Sequence, residues 1–302
     1  MDFEILMPFW GRFDHFREAV ESVLAQDDAD FRLTVVDDVY PDTTPGEWLQ
    51  DLADPRVAYV RNEANLGPSK NYNACVARSE ARYVTLFGCD DVMESGYVRR
   101  VRELLRDFPD SDLLQPGVRV IDETGQFVRP VGDRIKARLM PRGPYPRAVR
   151  GENLAVGLMR GNWTYFPSLV WKRERLVARR FREDLNVVQD LEMIAHIVAT
   201  GGTVVVDDDA VFRYRRHSTS VSAVTGPDGT KFAQERTLFA EISEMYARQG
   251  WSRAARAARR HITSRANAAA TIPGAIRARN GRALRSIVGH VLVPGARRSR
   301  TR

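Results

Sequence analysis

The first 90 residues alternate between short apolar runs and segments whose apolar residues recur at helical spacing. Residues 3–8, 31–38, 57–60 and 83–87 predict buried strands, and residues 13–24, 47–52 and 68–77 predict helices between them. This alternation favours a parallel sheet with helices on both faces, and right-handed crossovers bring the carboxyl ends of its strands to one edge. Ligands of such α/β sheets bind at that edge.

The remaining chain continues the α/β pattern. Helices are predicted over residues 98–105, 151–159 and 188–199, and strands over 112–121, 167–171 and 202–211. Residues 130–146 are rich in proline, glycine and arginine and predict a mobile loop. The fold class is therefore α/β, with a Rossmann-like, mostly parallel central sheet. We expect one large domain over residues 1–225 and a helical, basic C-terminal extension over 226–302.

The charge is unevenly distributed along the chain. The net charge is +7, but residues 251–302 hold 13 arginines and no acidic residue, so the rest of the chain carries −6, the difference between these numbers. A mildly acidic body with a basic tail does not indicate a nucleic-acid-binding core. Two cysteines exclude a disulfide framework. No secretory signal and no apolar run of spanning length is present, so we expect a cytoplasmic protein.

Two acidic pairs follow predicted strands. Asp37 and Asp38 end the second strand, and Asp90 and Asp91 follow the fourth, so the sheet topology places both pairs on the same edge. Carboxylates hold hard divalent cations, and such a cation neutralises the diphosphate leaving group of a nucleotide. Solvated acidic turns or helix caps are the structural alternative.

Several motifs occur in an order that resembles a glycosyltransferase of family 2 with the GT-A fold. They are Ile5-Leu6-Met7-Pro8-Phe9-Trp10, Val35-Val36-Asp37-Asp38, Asn65-Leu66-Gly67, Phe87-Gly88-Cys89-Asp90-Asp91, Val188-Gln189-Asp190-Leu191 and Arg213-Tyr214-Arg215-Arg216-His217. The resemblance covers residues 1–225. It implies an inverting enzyme that depends on a nucleotide-diphospho-sugar.

The resemblance implies a site for a divalent metal, Mn²⁺ or Mg²⁺. Asp90 corresponds to the main ligand and Asp91 to the second, and His217 completes the metal shell or touches the diphosphate. Gly88 stands where the Asp-x-Asp motif of the family usually has its first acid. A purely structural histidine is the alternative for His217.

The resemblance also places a group of residues in the donor site. Asp38, with Asp37, corresponds to the contact with the imide N–H of uracil or thymine, although a turn or cap role remains open for Asp37. Gly67 opens a helix whose amides, with Lys70, are predicted to face the phosphates, or else form a plain helix cap. The full set of predicted donor-binding residues is Pro8, Asp37, Asp38, Asn65, Gly67, Lys70, Asp90 and Arg216.

Asp190 is the candidate catalytic residue. It lies at the start of a predicted helix, and in the resembled family this position deprotonates the acceptor hydroxyl. Capping of the helix is the competing interpretation. Trp163, in an aromatic cluster with Asn162, is the predicted acceptor-binding residue because rings stack on sugar faces, although such clusters are more often core.

The resulting functional prediction is transfer of a sugar from a UDP- or dTDP-sugar to a hydroxyl of a glycan or lipid-linked glycan in cell-wall or surface polysaccharide synthesis. A sugar-nucleotide nucleotidyltransferase, or a non-catalytic nucleotide- or nucleic-acid-binding protein, is the alternative. The basic tail is predicted to pack an alanine stripe with its arginines outward, or to attach peripherally to the anionic inner face of the membrane. Nucleic acid ranks last among its partners.

Overall fold

The structure is a computed structural model that describes residues 2–218 and 225–292. Its centre is a nine-stranded sheet with the strand order β3-β2-β1-β4-β8-β6-β9-β5, in which β7 pairs with β9. The strands are β1 (Phe3–Phe9), β2 (Arg32–Asp37), β3 (Val57–Arg61), β4 (Tyr83–Leu86), β5 (Val92–Met93), β6 (Leu113–Ile121), β7 (Arg147–Val149), β8 (Val170–Lys172) and β9 (Val204–Arg215).

Helices cover both faces of this sheet and extend beyond it at the C-terminal end of the chain. They are α1 (Phe13–Leu24), α2 (Thr44–Asp51), α3 (Pro68–Arg78), α4 (Tyr97–Asp107), α5 (Val131–Leu139), α6 (Gly151–Arg160), α7 (Arg173–Arg179), α8 (Gln189–Ala199), α9 (Thr230–Arg248), α10 (Ser252–Arg260), α11 (Ile262–Arg277) and α12 (Gly281–Leu292).

The first four long strands form the parallel half of the sheet. β1 pairs in parallel with β2 and β4, and β2 with β3, so the carboxyl ends of these strands share one edge. Alternate residues of β1 enter two different cores: Leu6 packs on one face of the sheet, and Ile5 and Met7 pack on the other. The predicted α/β fold with a mostly parallel central sheet is confirmed. β8 is the exception in the middle, antiparallel to β4 and β6.

Two local predictions are wrong. Residues 130–146 do not form only a loop, because α5 begins directly after Pro130, with Asp133 in its first turn. An acid suits the first turn of a helix, but the glycine, proline and arginine content of the segment hid the element. The predicted strand over 167–171 is a 3₁₀ helix, Phe166–Ser168, followed by β8.

The C-terminal helices divide into two layers. α9 and α10 join the core beneath the sheet, where α10 buries Ala254, Ala255 and Ala258. The predicted packing of an alanine stripe is therefore confirmed for α10. α11 and α12 enclose a smaller core around Phe232 and Ile287. Among the described residues, no helix has the length and hydropathy needed to cross a membrane.

Candidate active site

The Gly88–Asp91 turn follows β4 at the carboxyl edge of the sheet. The Asp90 side chain is 33% exposed, whereas Asp91 is buried. One Asp91 oxygen, Oδ1, accepts a hydrogen bond of 2.7 Å from the backbone N–H of Arg215, and the other, Oδ2, is buried without a hydrogen-bond partner. Burial, followed by the neighbouring Asp90 charge, raises the pKa of Asp91 well above its ordinary value.

Gly88 explains why this turn departs from the usual family motif. A Cβ at this position would lie 2.5 Å from Oδ2 of Asp91 and 2.9 Å from Oδ1 of Asp90. The two carboxylates therefore occupy the space that a side chain at position 88 would need. An acid at Gly88 would require both of them to move.

The end of β9 brings His217 to the same turn. Its Nε2 lies 2.5 Å from Oδ2 of Asp90, and its side chain is 11% exposed. Arg215 fixes this junction, because its buried guanidinium donates to the Asp90 carbonyl at 2.7 Å and pairs with Glu18. The three predicted metal ligands, Asp90, Asp91 and His217, thus lie together although 127 residues separate Asp90 from His217.

The residues of this turn fit a divalent cation in two respects. Asp91 presents a buried oxygen with no partner, and the absent side chain of Gly88 lets the carboxylates of Asp90 and Asp91 both approach the turn backbone. The match is incomplete in one respect, since among residues 2–218 and 225–292 no group of three or more acidic, cysteine or histidine side chains already has the spacing of a metal site. His217 and Asp90 contact each other instead of pointing to a common centre.

Asp37 is fully engaged with the protein. Its Oδ1 accepts the backbone N–H of Tyr40 at 2.7 Å, and its Oδ2 accepts the Tyr59 hydroxyl at 2.6 Å and Arg61 at 2.7 Å. The carboxylate is buried. These bonds match the turn role that the sequence left open for Asp37.

Asp38 organises the loop before α3. Its carboxylate accepts hydrogen bonds of 2.8 Å from the backbone N–H groups of Leu66 and Gly67, and its carbonyl accepts the Asn65 side chain at 2.8 Å. Gly67 has φ of +76°, a conformation that glycine adopts without strain, and Pro68 opens the helix. The predicted donor residues Asp38, Asn65 and Gly67 thus belong to one hydrogen-bonded cluster.

The remaining predicted donor residues lie along the same edge but are not equally open. Lys70 is exposed in the first turn of α3, and Pro8 is half-buried near the end of β1. Arg216 makes a bidentate pair with Asp133 of α5, at 2.7 Å for each bond. A phosphate at Arg216 would therefore compete with Asp133.

Asp190 lies in the first turn of α8, separate from the acidic turn. Its Oδ2 accepts a hydrogen bond of 3.2 Å from Asn162. Burial raises the pKa of Asp190 above its ordinary value, while the Leu191 amide and the Lys136 charge oppose that shift. Both acidic centres act on Tyr72 of α3, because burial, then the charges of Asp190 and Asp90, raises its pKa.

The position of Trp163 overturns its predicted role. The side chain is 0% exposed and belongs to the main core, with its indole N–H unpaired. Neither ring face is open to a sugar, so stacking on an acceptor is not possible in this conformation. The polar neighbour Asn162 is the residue of this segment that reaches Asp190.

The sequence did not single out Tyr72, Asp133 and Lys136. Asp133 and Lys136 lie one helical turn apart on α5, in a segment whose composition predicts a loop, so no helical spacing draws attention to them. Tyr72 lies on α3, two residues after Lys70, and its placement on the helix was the available signal.

A cavity of about 670 Å³ opens beside His217 and Arg216. The C-terminal helices supply its opposite wall, with Lys231 and Phe232 from α9 and Thr271 from α11. This volume is in the range of small-molecule sites. The helical extension therefore borders the candidate active site.

The strand order and the acidic turn at the carboxyl edge define a protein of the GT-A glycosyltransferase class. A family model described as "Glycosyl transferase family 2" matches residues 4–172. The chain belongs to this family, and the resemblance seen in the sequence is confirmed.

Curated relatives carry related names. The chain is 26% identical over 227 residues to the succinoglycan biosynthesis protein ExoO of Rhizobium meliloti (strain 1021), covering 74% of this chain and 63% of that protein. It is 35% identical over 91 residues to the putative colanic acid biosynthesis glycosyl transferase WcaA of Escherichia coli (strain K12), covering 29% of this chain and 31% of that protein. The chain thus spans less than two thirds of the length of these relatives.

Among solved structures, residues 1–349 of TarS from S. aureus superpose with a TM-score of 0.61 at 14% identity. The match covers 96% of this chain and 90% of that chain. The complex of the same TarS fragment with UDP-GlcNAc gives a TM-score of 0.61 at 15% identity. At these identities the likeness concerns the fold.

Proposed function

We propose that this protein is an inverting glycosyltransferase that moves a sugar from a UDP- or dTDP-sugar to a hydroxyl of a glycan or lipid-linked glycan in polysaccharide biosynthesis. The main supporting observation is that the fold carries two acidic centres: Asp90 and Asp91 in the turn after β4, and Asp190 in the first turn of α8. The family membership, the relatives named for succinoglycan and colanic acid, and the TarS complex with UDP-GlcNAc support it.

The two centres supply the two requirements of a single displacement. Asp190 accepts the proton of the attacking hydroxyl, and its hydrogen bond from Asn162 holds the carboxylate in place. Asp90, Asp91 and His217 would hold a divalent cation, Mn²⁺ or Mg²⁺, whose charge stabilises the departing diphosphate. Direct attack on the anomeric carbon inverts its configuration, because no covalent sugar-enzyme bond is formed.

The loop before α3, which contains Asn65, Leu66 and Gly67, has a defined part in this proposal. Asp38 holds the backbone of Leu66 and Gly67, so the loop between β3 and α3 is preorganised before a nucleotide binds. Lys70 is exposed in the first turn of α3, where an ammonium group and the positive end of the helix both favour an anion. We assign Lys70 to the diphosphate and Asp38 to the shape of the base pocket.

A donor screen tests the proposal. The purified protein is incubated with UDP-, dTDP- and GDP-sugars, with Mn²⁺, with Mg²⁺ or with excess chelator, and nucleotide release is measured. We expect release from at least one uridine or thymidine donor, only with a divalent cation. Release from none of these donors, or equal release in chelator, would contradict the proposal.

The C-terminal helices are proposed to attach the enzyme to an anionic membrane surface, where a lipid-linked acceptor lies. Exposed arginines cluster where α11 ends and α12 begins, next to Ile276, which is 57% exposed. Each basic residue near an anionic leaflet contributes about 1 kcal/mol of binding free energy. The cluster consists of Arg277, Arg279, Arg282 and Arg285.

We expect that replacing these four arginines by glutamine lowers sedimentation with phosphatidylserine vesicles at least about tenfold. The matched control replaces four exposed arginines of the catalytic body by glutamine, with the same loss of charge, and should sediment like the unaltered protein. Equal losses in the two variants would indicate nonspecific attraction and contradict a dedicated surface. The control residues are Arg17, Arg99, Arg106 and Arg180.

A further inference from the structure

Helix α5 carries Lys136, a half-buried lysine whose ammonium group interacts electrostatically with the proposed base. The Nζ atom of Lys136 donates a hydrogen bond of 2.7 Å to the Thr164 carbonyl and lies 4.3 Å from the centre of the Tyr165 ring. Burying an ammonium group is costly unless charges or dipoles compensate it. The carboxylates of Asp133 and Asp190 supply that compensation, since both raise the pKa of Lys136 against the effect of burial.

A continuous chain of hydrogen bonds connects Lys136 to the base. The Thr164 carbonyl accepts from Lys136, and the Thr164 hydroxyl donates to Oδ1 of Asn162 at 2.7 Å. The Thr164 N–H donates to the same oxygen at 3.2 Å, which leaves the Asn162 amide to donate to Asp190 at 3.2 Å. The orientation of Asn162, and with it the position of the carboxylate, is therefore set by the Thr164 segment.

We propose that Lys136 is a positioning residue for Asp190: it fixes the Thr164–Asn162 segment that holds the carboxylate, and its positive charge keeps the carboxylate ionised. This inference rests on the proposed role of Asp190 as the base. Burial alone favours a protonated Asp190, which cannot accept a proton, so a nearby positive charge is needed for catalysis. Lys136 provides that charge without forming a direct ion pair that would occupy the carboxylate.

Other charged and titratable groups also act on Lys136 and Asp190. Burial, then the charge of Arg216, lowers the pKa of Lys136 to about 8, so the lysine is mostly charged at pH 7. The charged and titratable neighbours of the two groups are Asp133 from α5, Tyr165 from the 162–165 segment, Arg216 after β9, Lys231 and Glu235 from α9, and Tyr72 from α3.

The first test measures the protonation of Asp190 directly and needs no donor. The side-chain carboxyl carbons of aspartate are labelled with ¹³C, Asp190→Asn assigns the signal, and the titration is followed by NMR. Lys136→Met should raise the pKa of Asp190 by at least about one unit, because loss of a nearby positive charge disfavours the carboxylate. Lys136→Arg should leave it within about half a unit, and Lys172→Met, a control lysine on β8, should not change it.

The second test is the pH dependence of turnover with the nucleotide sugar that gives the fastest release. The unaltered enzyme should lose activity at low pH as Asp190 is protonated. Lys136→Met should lower turnover at pH 7 at least about tenfold and move the acidic limb to higher pH. Lys136→Arg should restore turnover and return the acidic limb to its original pH, because arginine keeps the positive charge.

An unchanged Asp190 titration in Lys136→Met, or an acidic limb that stays at its original pH, would overturn the inference and leave Lys136 as a structural anchor of α5. A folding defect in Lys136→Met does not protect the inference, since Lys136→Gln, which keeps a donor for the Thr164 carbonyl but has no charge, must still raise the pKa of Asp190. Failure of the proposed function would give a different result. The Asp190 titration would still shift in Lys136→Met, but Asp190→Asn would turn over at the original rate.

Discussion

Replacing Asp90 by alanine is expected to lower nucleotide release at least about a hundredfold and to abolish the metal dependence of donor binding. The Asp90 carboxylate contacts His217, and its charge acts on the neighbouring Asp91, so its loss removes the central group of the proposed cation site. Groups that stabilise charge on a departing diphosphate commonly account for effects of this size. Turnover and the metal-dependent thermal shift with UDP are the measurements.

The fold should survive this substitution. Asp90 is one-third exposed and follows a strand instead of filling the core. Asp209→Ala serves as a matched control, since Asp209 is 61% exposed on β9 and pairs only loosely with Arg100, at 3.7 Å. Full activity of Asp90→Ala, with circular dichroism equal to that of the control, would show that Asp90 does not take part in catalysis or metal binding.

Asp190→Asn is expected to lower turnover at least about a hundredfold while donor affinity changes little, because a general base acts only in the chemical step. Asparagine keeps an oxygen for the bond from Asn162, so the geometry is preserved and only proton acceptance is lost. Turnover and the donor dissociation constant are measured separately.

The pH profile adds a signed prediction for the same residue. Burial raises the pKa of Asp190, so the carboxylate becomes ionised only above the ordinary aspartate range, and turnover should rise with pH through that raised pKa. The Asp190→Asn variant should lack this rise. Asp184→Asn, an exposed acid paired with Arg182, is the matched control. A collapse of donor affinity with unchanged turnover at saturation would instead assign Asp190 to the donor site.

Much of the fold and part of the candidate site follow from the sequence because their determinants are local. The alternation of buried runs and amphipathic segments predicts β1 to β4 and the helices between them. Parallel pairing then brings the strand ends, with Asp38 and Asp90, to one edge. The antiparallel insertion of β8 depends on pairing with β6, a contact across more than 50 residues that no local pattern records.

The candidate-site residues that the sequence does not reveal depend on tertiary contacts for their roles. Lys136 lies on a short helix in a segment dominated by helix-breaking composition, and only packing against Thr164 gives it a role. Trp163 shows the opposite error, because an aromatic cluster beside an asparagine suits both a sugar pocket and a core. Burial decides between these two roles, and the sequence of an aromatic cluster does not show whether its rings are buried.

The anomeric configuration of the sugar released from the best donor of the screen tests the central claim most directly. With an α-linked UDP- or dTDP-sugar and no acceptor, water takes the place of the acceptor hydroxyl. Proton NMR can identify the first anomer before mutarotation mixes the two. A single displacement assisted by Asp190 predicts that the β anomer forms first, and that Asp190→Asn forms it at least about a hundredfold more slowly. Initial release of the α anomer would contradict the inverting mechanism and the role of Asp190 as its base.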